Sequence, residues 1–238
     1  MFTMFGDRRP YGLCKPSILR LEMRSPDNMV MTTRATACWQ SWNPGALTPV
    51  TPNGITRVTA FAPNTTGIPY YKNGKSCSME IAKQLYDVGR LFENVSDLQI
   101  TSQAFRKIAA VELSYRSLGT DAGPVFNDIR QTALCISTRG KAGEGDFNLM
   151  QDGIIRVKSF MYKQRYLIDN AIIDAARAAY LATLIEKGVT RVEPYPENPN
   201  DIKDLVIRTS LTNKLNKLKS NLPEAYYYWA KTSELLES

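Results

Sequence analysis

A chain of 238 residues with 43% hydrophobic and 22% charged side chains has the composition of an ordinary globular protein, and is long enough to bury a core as one large domain or two small ones. It contains no histidine, which removes hydrolysis through an imidazole base and most zinc chemistry. The net charge of +7 is uneven: residues 1–75 hold nine Lys or Arg against three Asp or Glu, whereas the rest of the chain holds 21 against 20.

No apolar run reaches the roughly 18 residues that span a bilayer, and the opening "MFTMFGDRRPYGLCKPSILRLEM" lacks the continuous apolar core of a secretory signal, so export is not expected. The four cysteines, Cys14, Cys38, Cys77 and Cys135, have no CxxC spacing to suggest a metal or iron–sulfur site.

The first 75 residues carry eight of the thirteen prolines, with "WNPG" and "TPNG" turn signals, which disfavours a long helix. Phe2, Phe5, Tyr11, Trp39, Trp42, Phe61, Tyr70 and Tyr71 make this a poor solvated linker. It reads as an extended, basic, aromatic-rich arm lying along a protein surface, with weak strand-like alternation in "ITRVTAF". The body is 76–238, with a possible division near 140–150.

"SMEIAKQLYDVGRLF" puts Ile81, Leu85, Val88 and Phe92 on one helical face. A second helix has the stripe Phe105, Ile108, Val111, Tyr115 and Leu118, with Ser102 as the expected N-cap and Gly119 as the stop. A third starts with Pro124 in its first turn and carries Val125, Ile129, Ala133 and Ile136. The proline-free 152–187 reads as one long helix or two with a kink, closed by Gly188. "DIKDLVIRTSLTNKLNKLKS" is amphipathic through Ile202, Leu205, Leu211, Leu215 and Leu218, and a last helix begins near Pro223. The fold class is therefore mostly α, an irregular basic arm followed by five or six helices.

"GKAGEGD" lacks the lysine and hydroxyl of a phosphate loop, and no carboxylate pair is set apart for acid–base work, so an enzyme is not expected. On a helix, Cys135 shares a face with Asp128, Gln131 and Arg139. Acid, thiol and guanidinium in one row suit a covalently held linear tetrapyrrole, since a thiolate adds to the pigment, a carboxylate accepts from pyrrole nitrogens and arginine grips a propionate. The plainer alternative is a half-buried cysteine among surface charges. Cys77 sits at a helix N-terminus just after Lys72 and Lys75, where a thiolate is favoured, and Tyr70 and Tyr71 could offer flat faces to a conjugated ring. Cys38 lies beside Trp39 and Trp42, and Cys14 among Arg8, Arg9, Tyr11 and Lys15. The arm's charge points to an acidic partner, whether nucleic acid, an anionic membrane surface or an acidic protein.

Two stretches, "NTTGIPYYKNGKSCSMEIAK" (64–83) and "KIAAVELSYRSLG" (107–119), resemble the γ subunits of red-algal phycoerythrin, the chromophore-bearing linker proteins of phycobilisome rods. The resemblance implies a non-enzymatic protein of helix and coil that sits within acidic phycobiliprotein α/β hexamers, contacts other linkers, and holds phycoerythrobilin or phycourobilin by thioether bonds. It implies a place in the plastid, at the stromal face of the thylakoid membrane. By position Cys77 corresponds to the family's cysteine before Met-Glu, with Ser78 intervening here. Cys135 lies on the expected helix, somewhat before the family's thiol, and Cys14 and Cys38 have no matching position. A different reading, a helical nucleic-acid-packaging protein resembling a viral nucleoprotein or coat, also accounts for the basic arm, the helical body and the missing catalytic groups.

Overall fold

The computed structural model describes residues 58–95, 98–158, 166–207 and 213–238. Expectations for 1–57, including Cys14 and Cys38, lie outside the described residues. The chain is mostly helical, with six helices of twelve or more residues among the described ones: α1 (Ser78–Phe92), α2 (Gln99–Tyr115), α3 (Gly123–Ser137), α4 (Phe147–Lys158), α5 (Ile168–Lys187) and α7 (Pro223–Glu237). A four-residue helix α6 (Leu218–Asn221) precedes α7, and a two-stranded hairpin, β1 (Tyr71–Lys72) and β2 (Lys75–Ser76), precedes α1.

The architecture is built around α5. Thirteen of its residues are buried, on all sides of the helix, as expected of a central element rather than an amphipathic surface one. Its alanines, among them Ala171, Ala175, Ala178 and Ala182, let neighbours approach closely; α1, α3 and α7 pack around it. Asn170 Oδ1 accepts from Leu167 N–H at 3.0 Å to start the helix, and Gly188, at φ 71°, ends it where the sequence places its stop.

The anticipated stripes face inward. Ile81, Leu85, Val88 and Phe92 of α1 are buried, as are Val125, Ile129, Ala133 and Ile136 of α3. In α2, Phe105 and Ile108 are buried while Tyr115 and Leu118 are exposed. That helix begins at Gln99, before the expected cap Ser102, and ends at Tyr115, because Ser117 turns to φ 56°. Arg106 of α2 donates to the Ile185 and Glu186 carbonyls, placing a cation on the C-terminal end of α5. The C-terminal "YYYW" packs inward: Trp229 is fully buried with its Nε1–H on Ser137 Oγ at 3.0 Å, and Tyr228 stacks on Tyr180 at 5.5 Å.

The 152–187 stretch holds two helices, one of the two alternatives: α4, which starts earlier than expected, at Phe147, and α5; residues 159–165 between them lie outside the described set. Among the described residues the amphipathic pattern through Ile202, Leu215 and Leu218 holds 3-10 turns at Pro199–Ile202 and Asn213–Lys217, an irregular 205–207 and the short α6, with 208–212 outside the described set. Val206 and Ile207 are β-branched and weak helix formers, so periodicity alone does not make 205–207 helical.

Residues 58–75, which the sequence reading assigned to the arm, belong to the same compact unit as the helices, Leu47–Ser238. Val58, Phe61 and Ala62 are buried, and 58–60 are helical rather than strand-like.

Candidate functional site

The two stretches that carry the family resemblance meet in space. Asn64 to Gly67 form a tight turn, with Thr65 and Gly67 N–H groups on the Ala62 carbonyl. A Cβ on Gly67 would lie 2.4 Å from the Ala60 oxygen, so only glycine fits there. From one side, buried Asp128 of α3 accepts from Asn64 N at 2.9 Å, Asn64 Nδ2 at 2.8 Å and Thr65 Oγ1 at 2.8 Å. From the other, Arg116, just past α2, donates to the carbonyls of Thr65, Thr66 and Gly67. The turn "NTTG" and the arginine of "YRSLG" are thus one clamp.

The chain leaves this clamp through the hairpin and reaches Cys77, the residue immediately before α1. Its N–H donates to Tyr70 O at 2.9 Å, and its Sγ lies 3.8 Å from Lys75 O. The helix-terminal position is as expected, but the thiol turns inward and is only 2% exposed. Cys135, on α3, is 3% exposed. Burial, and then the nearby Asp146 carboxylate, raise its thiol above the ordinary value, which disfavours the thiolate.

Tyr70 links the two thiols. Its carbonyl holds Cys77, while its hydroxyl reaches the glycine loop after α3: a Cβ on Gly145 would lie 2.5 Å from Tyr70 Oη and 3.6 Å from Cys135 Sγ. The Tyr70 hydroxyl is buried, and burial pushes it up to about 12 against the opposing pull of the Asp146 backbone and the Thr132 side chain. Gly143 and Gly145, both at positive φ, let the loop lie against Cys135.

The expected row of acid, thiol and guanidinium is split. Asp128 is engaged by the "NTTG" turn and by Thr132, so its lone pairs serve the fold. Arg139 lies beyond the end of α3 at φ 54° and pairs with Asp169 at 2.9 Å on the surface. Gln131 is half-buried.

The sequence reading missed a buried carboxylate. Asp174 of α5 is 1% exposed and accepts from Tyr166 Oη at 3.0 Å, with Arg177 at 3.4 Å and Arg90 at 3.7 Å. Arg177 continues to Glu93, just past α1, at 2.9 Å and to Glu224 on α7 at 2.6 Å, and with Arg90 of α1 one network ties three helices. Burial raises the Asp174 carboxyl to about 7, against the opposing pull of Arg90, Arg177 and the Tyr166 hydrogen bond. Gly89 packs on it so closely that a Cβ would sit 2.1 Å from Asp174 Oδ1. Neither a motif nor a spacing marks Asp174 in the sequence; the missed signal is Gly89 inside an otherwise good helix.

A cavity of about 160 Å³ lies between the end of α5 and the end of α7, lined by Tyr180, Arg191, Glu193 and Lys231 among others. Glu193 and Glu234 already neutralise Lys231, at 2.9 and 3.3 Å. Among the described residues no group of three or more Cys, Asp or Glu could hold a metal ion, and no helix is long and apolar enough to cross a membrane. Comparison with protein-family models, with curated proteins and with solved structures finds no match to this chain.

Proposed function

We propose that this chain is a non-enzymatic linker of phycobilisome rods, of the phycoerythrin γ type, which organises acidic α/β hexamers in the plastid and carries a thioether-bound bilin at Cys77. The observation that carries the reading is the clamp. The two stretches resembling the family, 49 to 51 residues apart where they meet, form one hydrogen-bonded unit from which the chain runs through the hairpin to Cys77. A sequence signature whose separate pieces close on each other is better explained as a shared structural feature than as two chance matches.

The pigment half of the proposal has a steric condition. With Cys77 and Cys135 both buried, a tetrapyrrole reaches either sulfur only when the segment around it opens, so attachment precedes or interrupts closure of the hairpin on α1. Denatured native material run on a gel should show zinc-enhanced bilin fluorescence, lost or much reduced in Cys77→Ala. A colourless chain that still co-sediments with phycoerythrin hexamers would leave a bare linker. A colourless chain indifferent to those hexamers overturns the whole reading, and co-purifying nucleic acid with steeply salt-dependent affinity would favour the packaging alternative.

A further inference from the structure

The β1–β2 hairpin projects from the fold at a defined turn. Asn73 and Gly74 both take positive φ, 51° and 73°, as a two-residue type I′ turn requires. Residues 71–75 are all exposed, and a Cβ on Gly74 would meet nothing within 4 Å, so the tip stands in solvent. Its base is fixed by the Cys77 N–H on Tyr70 O and by the buried Cys77 side chain.

The register sets Lys72 directly opposite Lys75. Like charges at directly opposed positions destabilise a ladder, and neither ammonium has an ion-pair partner among the described residues. The surrounding sequence offers none either: no acidic residue occurs between Asp27 and Glu80. Beside the two lysines, Tyr71 is 58% exposed. A tyrosine on a preorganised turn loses little freedom on contact, and aromatic residues of this kind dominate interface energetics.

We propose that this hairpin is a docking finger for an acidic protein face, with a partner carboxylate seated between Lys72 and Lys75 and the Tyr71 ring lying on apolar surface beside it. The partner carboxylate relieves the cross-strand repulsion, which is what makes the contact favourable beyond ordinary surface attraction. Two ammonium groups on one tip match one or two carboxylates, whereas a nucleic-acid backbone calls for a continued basic stripe. The inference needs only the hairpin and stands without the linker reading, because a colourless chain could dock the same way.

The test uses the full chain and three probes: a random glutamate–tyrosine copolymer, polyglutamate and a single-stranded oligonucleotide. In low salt, Lys72→Gln/Lys75→Gln should lower copolymer affinity about tenfold, whereas the charge-matched exposed pair Lys203→Gln/Lys217→Gln should change it less than about twofold. Tyr71→Ser should weaken binding to the copolymer and leave polyglutamate binding unchanged. All these positions are exposed, so far-ultraviolet circular dichroism should be the same for every variant. Equal losses in the two double variants, or an unchanged affinity in the hairpin variant, overturn the proposal. A loss for the oligonucleotide as large as that for the copolymer overturns the protein partner, and a Tyr71→Ser effect equal on both polypeptides overturns the apolar contact.

Discussion

At Asp128 a residue picked from the sequence as a pigment ligand proves to be a fastener of the chain itself. It was legible as important because an acid on the flank of an apolar helix stripe needs a reason, but the reason lay 64 residues away at Asn64, beyond any helical spacing. Removing its carboxylate leaves three donors of the turn without their acceptor, so Asp128→Ala should cost about 2 kcal/mol, while exposed Arg116→Ala should cost about 1 kcal/mol. Urea unfolding monitored by circular dichroism checks the order; a larger loss for Arg116→Ala would mean that the turn is held mainly from the arginine side. Asp174 was illegible because its environment is assembled from α1, α5 and the segment at Tyr166. Its folded carboxyl lies at about 7, above the ordinary 3.8. A raised acid favours the folded state below its unfolded value, and that contribution disappears as pH rises through the folded one. Between pH 4 and 7 the stability of the wild type relative to Asp174→Asn should therefore fall with rising pH, by up to roughly 4 kcal/mol. A rise over the same window would show that Arg90 and Arg177 outweigh burial and keep the carboxylate charged.

Among the elements, long apolar stripes were readable because burial of one face is written at helical spacing, as in Ile81, Leu85, Val88 and Phe92 of α1. The hairpin carries a signal the sequence analysis passed over, Asn73-Gly74, because its strands are only two residues long and give no alternating pattern. What periodicity cannot reveal is how near two helices come. Gly153 of α4 is such a point, since a Cβ there would lie 2.1 Å from the Ser78 carbonyl oxygen at the start of α1. Backbone cannot yield as a flexible side chain can, so Gly153→Ala should force α4 off the start of α1 and cost about 2–3 kcal/mol. Ile155→Ala, at an exposed position on the same helix, should change stability by less than about 0.5 kcal/mol. Cys77 adjoins Ser78, so Gly153→Ala should also speed alkylation of Cys77 in the folded protein, read by peptide mapping. Unchanged labelling with a full loss of stability would place the opening elsewhere in α4.

For the whole molecule, charge is denser in the leading residues than in the part that buries the core. The compact unit Leu47–Ser238 buries its apolar faces around α5 and holds 24 Lys or Arg against 20 Asp or Glu, whereas the 46 residues before it hold six against three. Stability of that unit rests on its packing, and long-range attraction is tested first on the leading residues; the two should be separable by mutation. Five of the six leading cations are Arg8, Arg9, Lys15, Arg20 and Arg24, all before the compact unit that begins at Leu47. Replacing all five with glutamine should leave the cooperative unfolding of the unit Leu47–Ser238 within about 1 kcal/mol of wild type, because single charges outside a packed core contribute little to its stability. Association with an acidic partner should weaken at low ionic strength, and the difference between variant and wild type should shrink as salt shortens the Debye length from about 30 Å at 0.01 M to about 8 Å at 0.15 M. Sedimentation with phycoerythrin hexamers across that range measures it. Binding equal to wild type at 0.01 M would move the attraction out of the leading residues and onto the body, where the lysines of the β1–β2 hairpin are the next charges to neutralise.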